Sequence, residues 1–389
     1  MGKVVAIICE YNPFHNGHLY QIEKVKELIP DATIACIMSG NTVQRGEFAL
    51  FDKYVRAKSA VVSGANAVFE IPYPYSASNA EIFAFAGVKI ASEIGAEILC
   101  FGSETNDVEK LANIANIIDG DEFKVELQKM LSDKRNSYLS SKQRALKNIG
   151  IDLPSDPNDM LAIEYIRAIN QIKPSIKPLP IKRVGAGYND VDNKDDFMSA
   201  TAIRKAFYNE NTLLSIPNEA RKNFEKEIEY GFFLDLKRAE EFLYMNTLRA
   251  SASEIEEIYD VSPGVGHFIF ETVRKSTCAK DFFEHLVSKN YTYARLRRIV
   301  MYFAFGIKAV EKDIGFANLL CVDDLGRKLV KSAKKTGFKI ITKVADSKNL
   351  SEKENKLYLI GKKVDEIYYS LLNTPMSPSE AYKKITIVI

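Results

Sequence analysis

Val4, Val5, Ala6, Ile7, Ile8 and Cys9 form an unbroken apolar run that leads straight into Glu10-Tyr11-Asn12-Pro13-Phe14-His15-Asn16-Gly17-His18. A run without polar alternation reads as a strand buried on both faces, as in parallel sheets covered by helices. Residues 19–29, beginning at Leu19 and Tyr20, then follow a helical period. Strand, tight turn and helix N-terminus in that order also make a site. Unpaired N–H groups at a helix start attract anions, and imidazoles placed there suit a nucleotide's phosphates. The chain has four histidines, and two of them stand here, three apart around Gly17. Gly17 has no Cβ and lets the backbone approach a ligand. Asn12-Pro13 turns the chain at the strand's end. The bland alternative is a capped turn with two solvated histidines; the flanking strand and helix weigh against it.

The same alternation continues. Further strands are predicted over 33–38, 67–71 and 97–101, with helices over 51–63 and 77–94 between them. This order predicts an α/β fold with a doubly wound, Rossmann-like parallel sheet. Ligands in such sheets bind outside the carboxyl ends of the strands. The polar segments 10–18, 39–47, 72–78 and 102–105 each fall at such an end. Residues 107–172 read as helical with breaks, and Asp156-Pro157-Asn158 reads as a helix start. A last strand is predicted over 179–184, followed by Gly185-Ala186-Gly187-Tyr188 and a helix capped by Ser199 or Thr201. From about residue 211 the pattern becomes mainly helical, with a short strand within 335–345. We expect two regions, 1–210 and 211–389, consistent with a chain of 389 residues.

Three clusters carry candidate chemistry. His15 and His18 suit hydrogen bonds to phosphate oxygens while a phosphoanhydride breaks. In Ser39-Gly40-Asn41-Thr42-Val43-Gln44-Arg45-Gly46-Glu47, two glycines bracket an arginine and two amides. Arg45, with Lys53 and Arg56 downstream, matches carboxylate or phosphate geometry. Arg183 with the following glycines and the Ser199–Arg204 stretch could form a second phosphate cradle. No G-x-S-x-G, Cys/His pair or Walker-type loop is present. Chemistry here would proceed by positioning and charge stabilisation, not through a covalent enzyme intermediate. No metal site is expected, since His267 and His285 stand far from the first pair and no third ligand has a familiar spacing.

Net charge is only +2, but residues 271–348 carry 17 basic and 8 acidic side chains. Within them, Tyr291 and Tyr293 interleave with Arg295, Arg297 and Arg298, a pattern suited to RNA phosphates and bases. The alternative is a solvated helical face. Five scattered cysteines and no C-x-x-C pair fit a reducing cytoplasm. No apolar run reaches the length of a membrane span, and no signal-like segment precedes the first strand.

The motif Ile8-Cys9-Glu10-Tyr11-Asn12-Pro13-Phe14-His15-Asn16-Gly17-His18 resembles the H-x-G-H signature of the nucleotidyltransferase superfamily. Together with Met38-Ser39-Gly40-Asn41, Gln44-Arg45-Gly46-Glu47, Pro157-Asn158, Glu164-Tyr165 and Lys182-Arg183, it resembles one branch, the bacterial tRNA(Met) cytidine acetate ligases. The likeness is close over the first 205 residues and continues less distinctly to the C-terminus. It implies that acetate attacks the α-phosphate of ATP to give acetyl-adenylate and pyrophosphate. The wobble cytidine of elongator tRNA(Met) then takes the acetyl group on N4. ATP is the implied co-substrate, accompanied by Mg2+. The implied ATP-binding positions are Ile7 through Tyr20, Gly102, Asn158 and Arg183. Acetate is expected near Ser39, Asn41 and Arg45, and tRNA near Arg295, Arg297 and Arg298. The family often carries acidic residues where this chain has Ser262-Pro263-Gly264-Val265-Gly266-His267. Two rivals remain: an adenylyltransferase of a phosphorylated cofactor precursor, and an inactive RNA-binding protein.

Overall fold

Ten strands are present in the computed structural model, which describes the chain except residues 1, 133–137, 155, 184–196, 211–212 and 214. They are β1 (Val4–Cys9), β2 (Thr33–Ser39), β3 (Thr42–Val43), β4 (Glu47–Phe48), β5 (Ala67–Ile71), β6 (Ile98–Ser103), β7 (Lys177–Lys182), β8 (Phe316–Val322), β9 (Lys339–Ile341) and β10 (Ile387–Val388). The main sheet runs β10-β8-β5-β2-β1-β6-β7, with β9 alongside β8, while β3 and β4 form a separate hairpin. β5, β2, β1, β6 and β7 are mutually parallel. The chain leaves β1 toward β2 and β5 on one side, then returns to place β6 and β7 on the other. The crevice between the carboxyl ends of β1 and β6 is therefore the topological switch point, where such sheets bind ligands.

The apolar run of β1 is explained by cover on both faces. Val4, Ala6 and Ile8 enter one core with Ala35, Ile37, Phe69 and the helix Ala80–Glu93. Val5 and Ile7 enter another with Ile34, Cys36, Met38 and Val68. Alternate side chains point to opposite faces of a strand, so a strand covered on both must be apolar throughout. The helices expected over 19–29, 51–63 and 77–94 begin at their caps. They span Asn16–Leu28 behind His15, Lys53–Val62 behind Asp52, and Ala80–Glu93 behind Asn79. Pro157 occupies the first turn of the helix Pro157–Ile172, as its sequence predicts.

The region after residue 210 is mainly helical, and it also extends the same sheet. β8 pairs antiparallel with β5, and β9 and β10 pair parallel with β8. The short strand expected within 335–345 is β9. β8 and β10 have no counterpart among the expected strands, because both join an existing sheet through long-range pairing that local pattern does not encode. Phe48, Tyr73 and Ala77 from the first region pack into the helical core with Leu296, Ile299 and Tyr368. No helix among the described residues is long and apolar enough to cross a membrane.

A buried ionic cluster joins the two regions. The Lys53 ammonium donates to Glu70 at 2.8 and 2.9 Å and to Asp365 at 2.7 Å. Asn41 donates to Asp365 at 3.0 Å, and Asn318 on β8 donates to Glu70 at 2.7 Å. Burial alone would discharge Lys53, but Asp365 and Glu70 outweigh it and hold the ammonium protonated. Lys53→Met leaves two buried carboxylates without their shared cation. It is expected to destabilise the protein by ~3–5 kcal/mol, read as a lower urea midpoint at pH 7. A change under 1 kcal/mol would contradict this account.

Candidate active site

A cavity of about 270 Å³ opens at the switch point. Its walls come from the end of β1 (Ile8 to Asn12), the following helix start (His15, Gly17, His18), the end of β6 (Phe101, Gly102), the start of the helix Pro157–Ile172 (Pro157, Asn158), the end of β7 (Lys182, Arg183), and the entry to the helix Ala200–Glu210 (Ser199, Ala200). Gln44 and Arg45 close one side.

The histidine pair is built by the helix it caps. His15 is the N-cap residue, and its Nδ1 accepts the Gly17 N–H at 3.1 Å. His18 Nδ1 accepts the His15 N–H at 3.2 Å. This reciprocal arrangement is a capping box made from imidazoles. The rings stack with centroids 3.7 Å apart, and a Cβ on Gly17 would lie 3.0 Å from the His15 ring. A nitrogen that accepts a hydrogen bond carries no proton, so each neutral ring keeps its hydrogen on Nε2. Each histidine is thus left with one outward donor, the polarity a phosphate oxygen requires. Burial first, and Arg183 second, depress the His15 imidazole to about 3. Burial, His15 and Arg183 push His18 well below its ordinary value.

Opposite the histidines, side chains hold one another in place. Arg183 donates to the Asn158 side-chain oxygen at 3.1 Å, and Asn158 donates to Glu104. Glu104 also accepts the Asp159 N–H at 3.1 Å. Asp159, fully buried, accepts from Ser103 at 2.5 Å and from the N–H groups of Glu104 and Thr105 at 3.0 and 3.1 Å. The loop after β6 is thereby fastened to the Pro157–Ile172 helix. Ser199 accepts the Ala202 N–H at 3.2 Å, the cap expected from sequence.

Most implied ATP positions line this cavity: Ile8, Cys9, Glu10, Tyr11, Asn12, His15, Gly17, His18, Tyr20, Gly102, Asn158 and Arg183. Ile7 and Phe14 instead sit fully buried in the core beneath it, and Leu19 packs against that core. Pro13 and Asn16 do not line the cavity either; the Asn16 N–H donates to the Ser215 carbonyl at 2.8 Å.

The acetate expectation needs revision for two residues. Arg45 lines the cavity, but Ser39 and Asn41 do not. Ser39 is fully buried, and Asn41 is committed to Lys53 and Asp365. Lys53 and Arg56 are buried structural cations. Gly185-Ala186-Gly187-Tyr188 lies outside the described residues.

The tRNA expectation also changes. Arg297 is buried, with Glu240 at 3.6 Å, Glu47 at 3.9 Å and the Phe283 ring at 4.5 Å. Arg298 faces Asp260 at 4.0 Å and the Gln44 carbonyl at 3.5 Å. Arg295 binds the Asp260 carbonyl and the Ser262 hydroxyl at 2.7 and 2.8 Å. All three guanidiniums bind internal groups of the fold; Arg297 is buried, while Arg295 and Arg298 keep part of their surface exposed. The interleaved pattern concealed this because the ion-pair partners lie 35 to 250 residues away in sequence.

Sequence reasoning passed over Leu161, Ile181, Phe101 and Met198 as cavity-lining residues, since apolar side chains on elements carry no separate signal. Among the described residues, no group of three His, Cys, Asp or Glu side chains is placed to hold a metal ion.

The HIGH Nucleotidyl Transferase family model matches residues 2–384. A protein of Fusobacterium nucleatum named tRNA(Met) cytidine acetate ligase is 33% identical, covering 94% of this chain and 95% of its own. One of Clostridium tetani with the same name is 32% identical, covering 94% and 97%. The crystal structure of Thermotoga maritima TmcAL bound with alpha-thio ATP is similar with a TM-score of 0.91 at 26% identity, covering 100% of this chain and 99% of that one.

The neutral histidine pair has a pH consequence. Their folded-state values lie below the unfolded value near 6.5, so the unfolded chain takes up protons first as pH falls. The stability they contribute is complete above about pH 6.5 and is lost as pH falls toward about 3. His15→Asn keeps a capping acceptor but removes that titration. Between pH 6 and pH 4 the parent protein should lose about 2 kcal/mol relative to this variant, measured by urea unfolding. A pH-independent difference would show that His15 is not held neutral by the fold.

Proposed function

The chain belongs to the HIGH Nucleotidyl Transferase family, among the tRNA(Met) cytidine acetate ligases, and we propose that its switch-point cavity is where the ligase reaction takes place. The protein activates acetate with ATP and transfers the acetyl group to N4 of the wobble cytidine in elongator tRNA(Met). Neither rival reading is favoured by relatives that carry the ligase name over nearly their whole length.

The observation that carries the assignment to this cavity is the histidine pair. Both Nδ1 atoms are occupied by backbone N–H groups, so only Nε2–H donors remain to offer. The helix N-terminus they cap favours the ATP phosphates. Acetate is already a nucleophile at neutral pH, so its attack on the α-phosphorus requires no base. An acetate oxygen forms the new bond to phosphorus, and the bond to the bridging oxygen breaks as pyrophosphate leaves. Charge grows on the departing phosphates, where preorganised donors act most strongly. His15, His18 and Arg183 supply such donors.

Acetate would lie toward Arg45. Asn12 lines the same cavity: its side-chain oxygen accepts the Leu50 N–H at 2.8 Å, while its buried Nδ2 has no partner among the described residues. A carboxylate would satisfy that donor and pair with Arg45. Mg2+ would arrive on the ATP phosphates, because Glu10 is the one carboxylate among the described residues lining the cavity.

Acetate-dependent exchange of labelled pyrophosphate into ATP tests the first step. His18→Ala is expected to lower exchange by about 10²–10³-fold. Nucleoside mass spectrometry of tRNA(Met) incubated with enzyme, ATP and labelled acetate should show labelled N4-acetylcytidine. Exchange that ignores acetate and requires a phosphorylated cofactor precursor would overturn the reading.

A further inference from the structure

Adenylate formation requires no proton acceptor, but acetyl transfer does. The lone pair of the cytosine exocyclic amine is delocalised into the ring, so N4 is a weak nucleophile that must lose a proton as it reacts. From the groups lining the cavity, we infer that Glu10 is the general base of the transfer step. The inference rests on the ligase reading above.

Elimination among the described residues leads there. His15 and His18 are unsuited, because each Nδ1 already accepts a backbone N–H and each Nε2 carries the ring's hydrogen. Arg45, Lys182 and Arg183 are cations without an acceptor. Cys9 and Tyr165 are held protonated, chiefly by burial. Glu10 alone offers a carboxylate to the cavity.

Its position is fixed from two sides. One oxygen accepts the Gln44 N–H at 2.7 Å, and its own carbonyl is held by Arg56. No hydrogen-bond partner for the second oxygen is found among the described residues. Burial raises the carboxyl above its ordinary value, against the Gln44 N–H and the charges of Arg204 and Arg45, while Glu47 adds to the rise. Arg56 and Tyr165 also face it. A raised carboxyl is a stronger base, closer in pKa to neutral pH.

In the step itself, N4 forms a bond to the acetyl carbonyl carbon. The bond from that carbon to the phosphate oxygen breaks, and AMP leaves with the electron pair. The N4 proton passes to Glu10, which later releases it to water.

The test supplies acetyl-adenylate and tRNA(Met) directly, in single turnover, so that activation is bypassed. Glu10→Gln keeps an oxygen for the Gln44 N–H and is expected to slow transfer by about 10²–10³-fold. Glu10→Asp should recover part of the rate. In the parent enzyme the logarithm of the rate should rise with unit slope on the acid side and then level off. That limb should vanish in Glu10→Gln. Transfer by Glu10→Gln within threefold of the parent, or a parent profile with no acid limb, would overturn the assignment, and the second measurement needs no variant to fold. Failure of the parent enzyme in acetate-dependent exchange would instead overturn the ligase reading.

Discussion

Arg56 is fully buried, and its guanidinium donates to the carbonyls of Phe51, Glu10 and Gly40. Those carbonyls belong to the chain just before its own helix, the end of β1 and the end of β2. Parallel strands end in carbonyl groups that the sheet no longer pairs, and a buried one without a donor is costly. A planar fork with several fixed N–H groups meets this need where a lysine could not. Burial works against the charge of Arg56, with Asp52 and Glu10 among the groups that favour it. The cavity at the switch point thus depends on a buried cation that does not line it. Glu10 and the loop carrying Gln44 and Arg45 both hang from it.

That loop is gripped from its other side by the helical region. Gly46 adopts a positive φ of 72°, and a Cβ there would lie 2.5 Å from the Arg298 backbone nitrogen. Arg298 reaches the Gln44 carbonyl, and Arg297 faces Glu47. The helix Tyr293–Ala304 therefore helps shape the active site from outside the parallel sheet. A cavity-lining loop held between two regions can be preorganised without a long rigid element of its own.

The parts of this architecture that depend on local pattern were readable in the sequence. β1 and β5 coincide with the runs read as strands, and the helix after β1 starts at the histidine that caps it. The gathering of 10–18 with Gly102 and Arg183 fits their places near strand ends, whereas Asn158, in the first turn of a helix, is reached only through the family resemblance. What local pattern does not carry is partnership at long range. Nothing around Asn41 signals that Asp365 will claim its amide, and nothing around Arg297 names Glu47 and Glu240. A basic, aromatic stretch has the same composition whether its cations face solvent or buried carboxylates. β8 was hidden for a related reason, since its hydrogen bonds are made to a strand some 250 residues earlier.

A cavity proposed to take ATP and acetate should repel carboxylates, so the presence of Glu10 calls for a physical reason. Its cost is reduced by the Gln44 N–H and by the positive charges of Arg204 and Arg45. Had those groups overcompensated, the carboxylate would be a weak base and inert toward an amine. They do not: burial prevails and the group remains above its ordinary value. The two half-reactions make opposite demands on one space, since activation calls for cations and transfer calls for a base. A buried carboxylate partly offset by arginines meets both demands. Its residual negative charge lies at the end of β1, beside the loop that carries Arg45, whose guanidinium partly offsets it, while His15, His18 and Arg183 would supply the donors for the phosphates. Acetate and the phosphate chain are each negatively charged, and in the proposed arrangement Arg45 would offset the first while the histidines and Arg183 would offset the second.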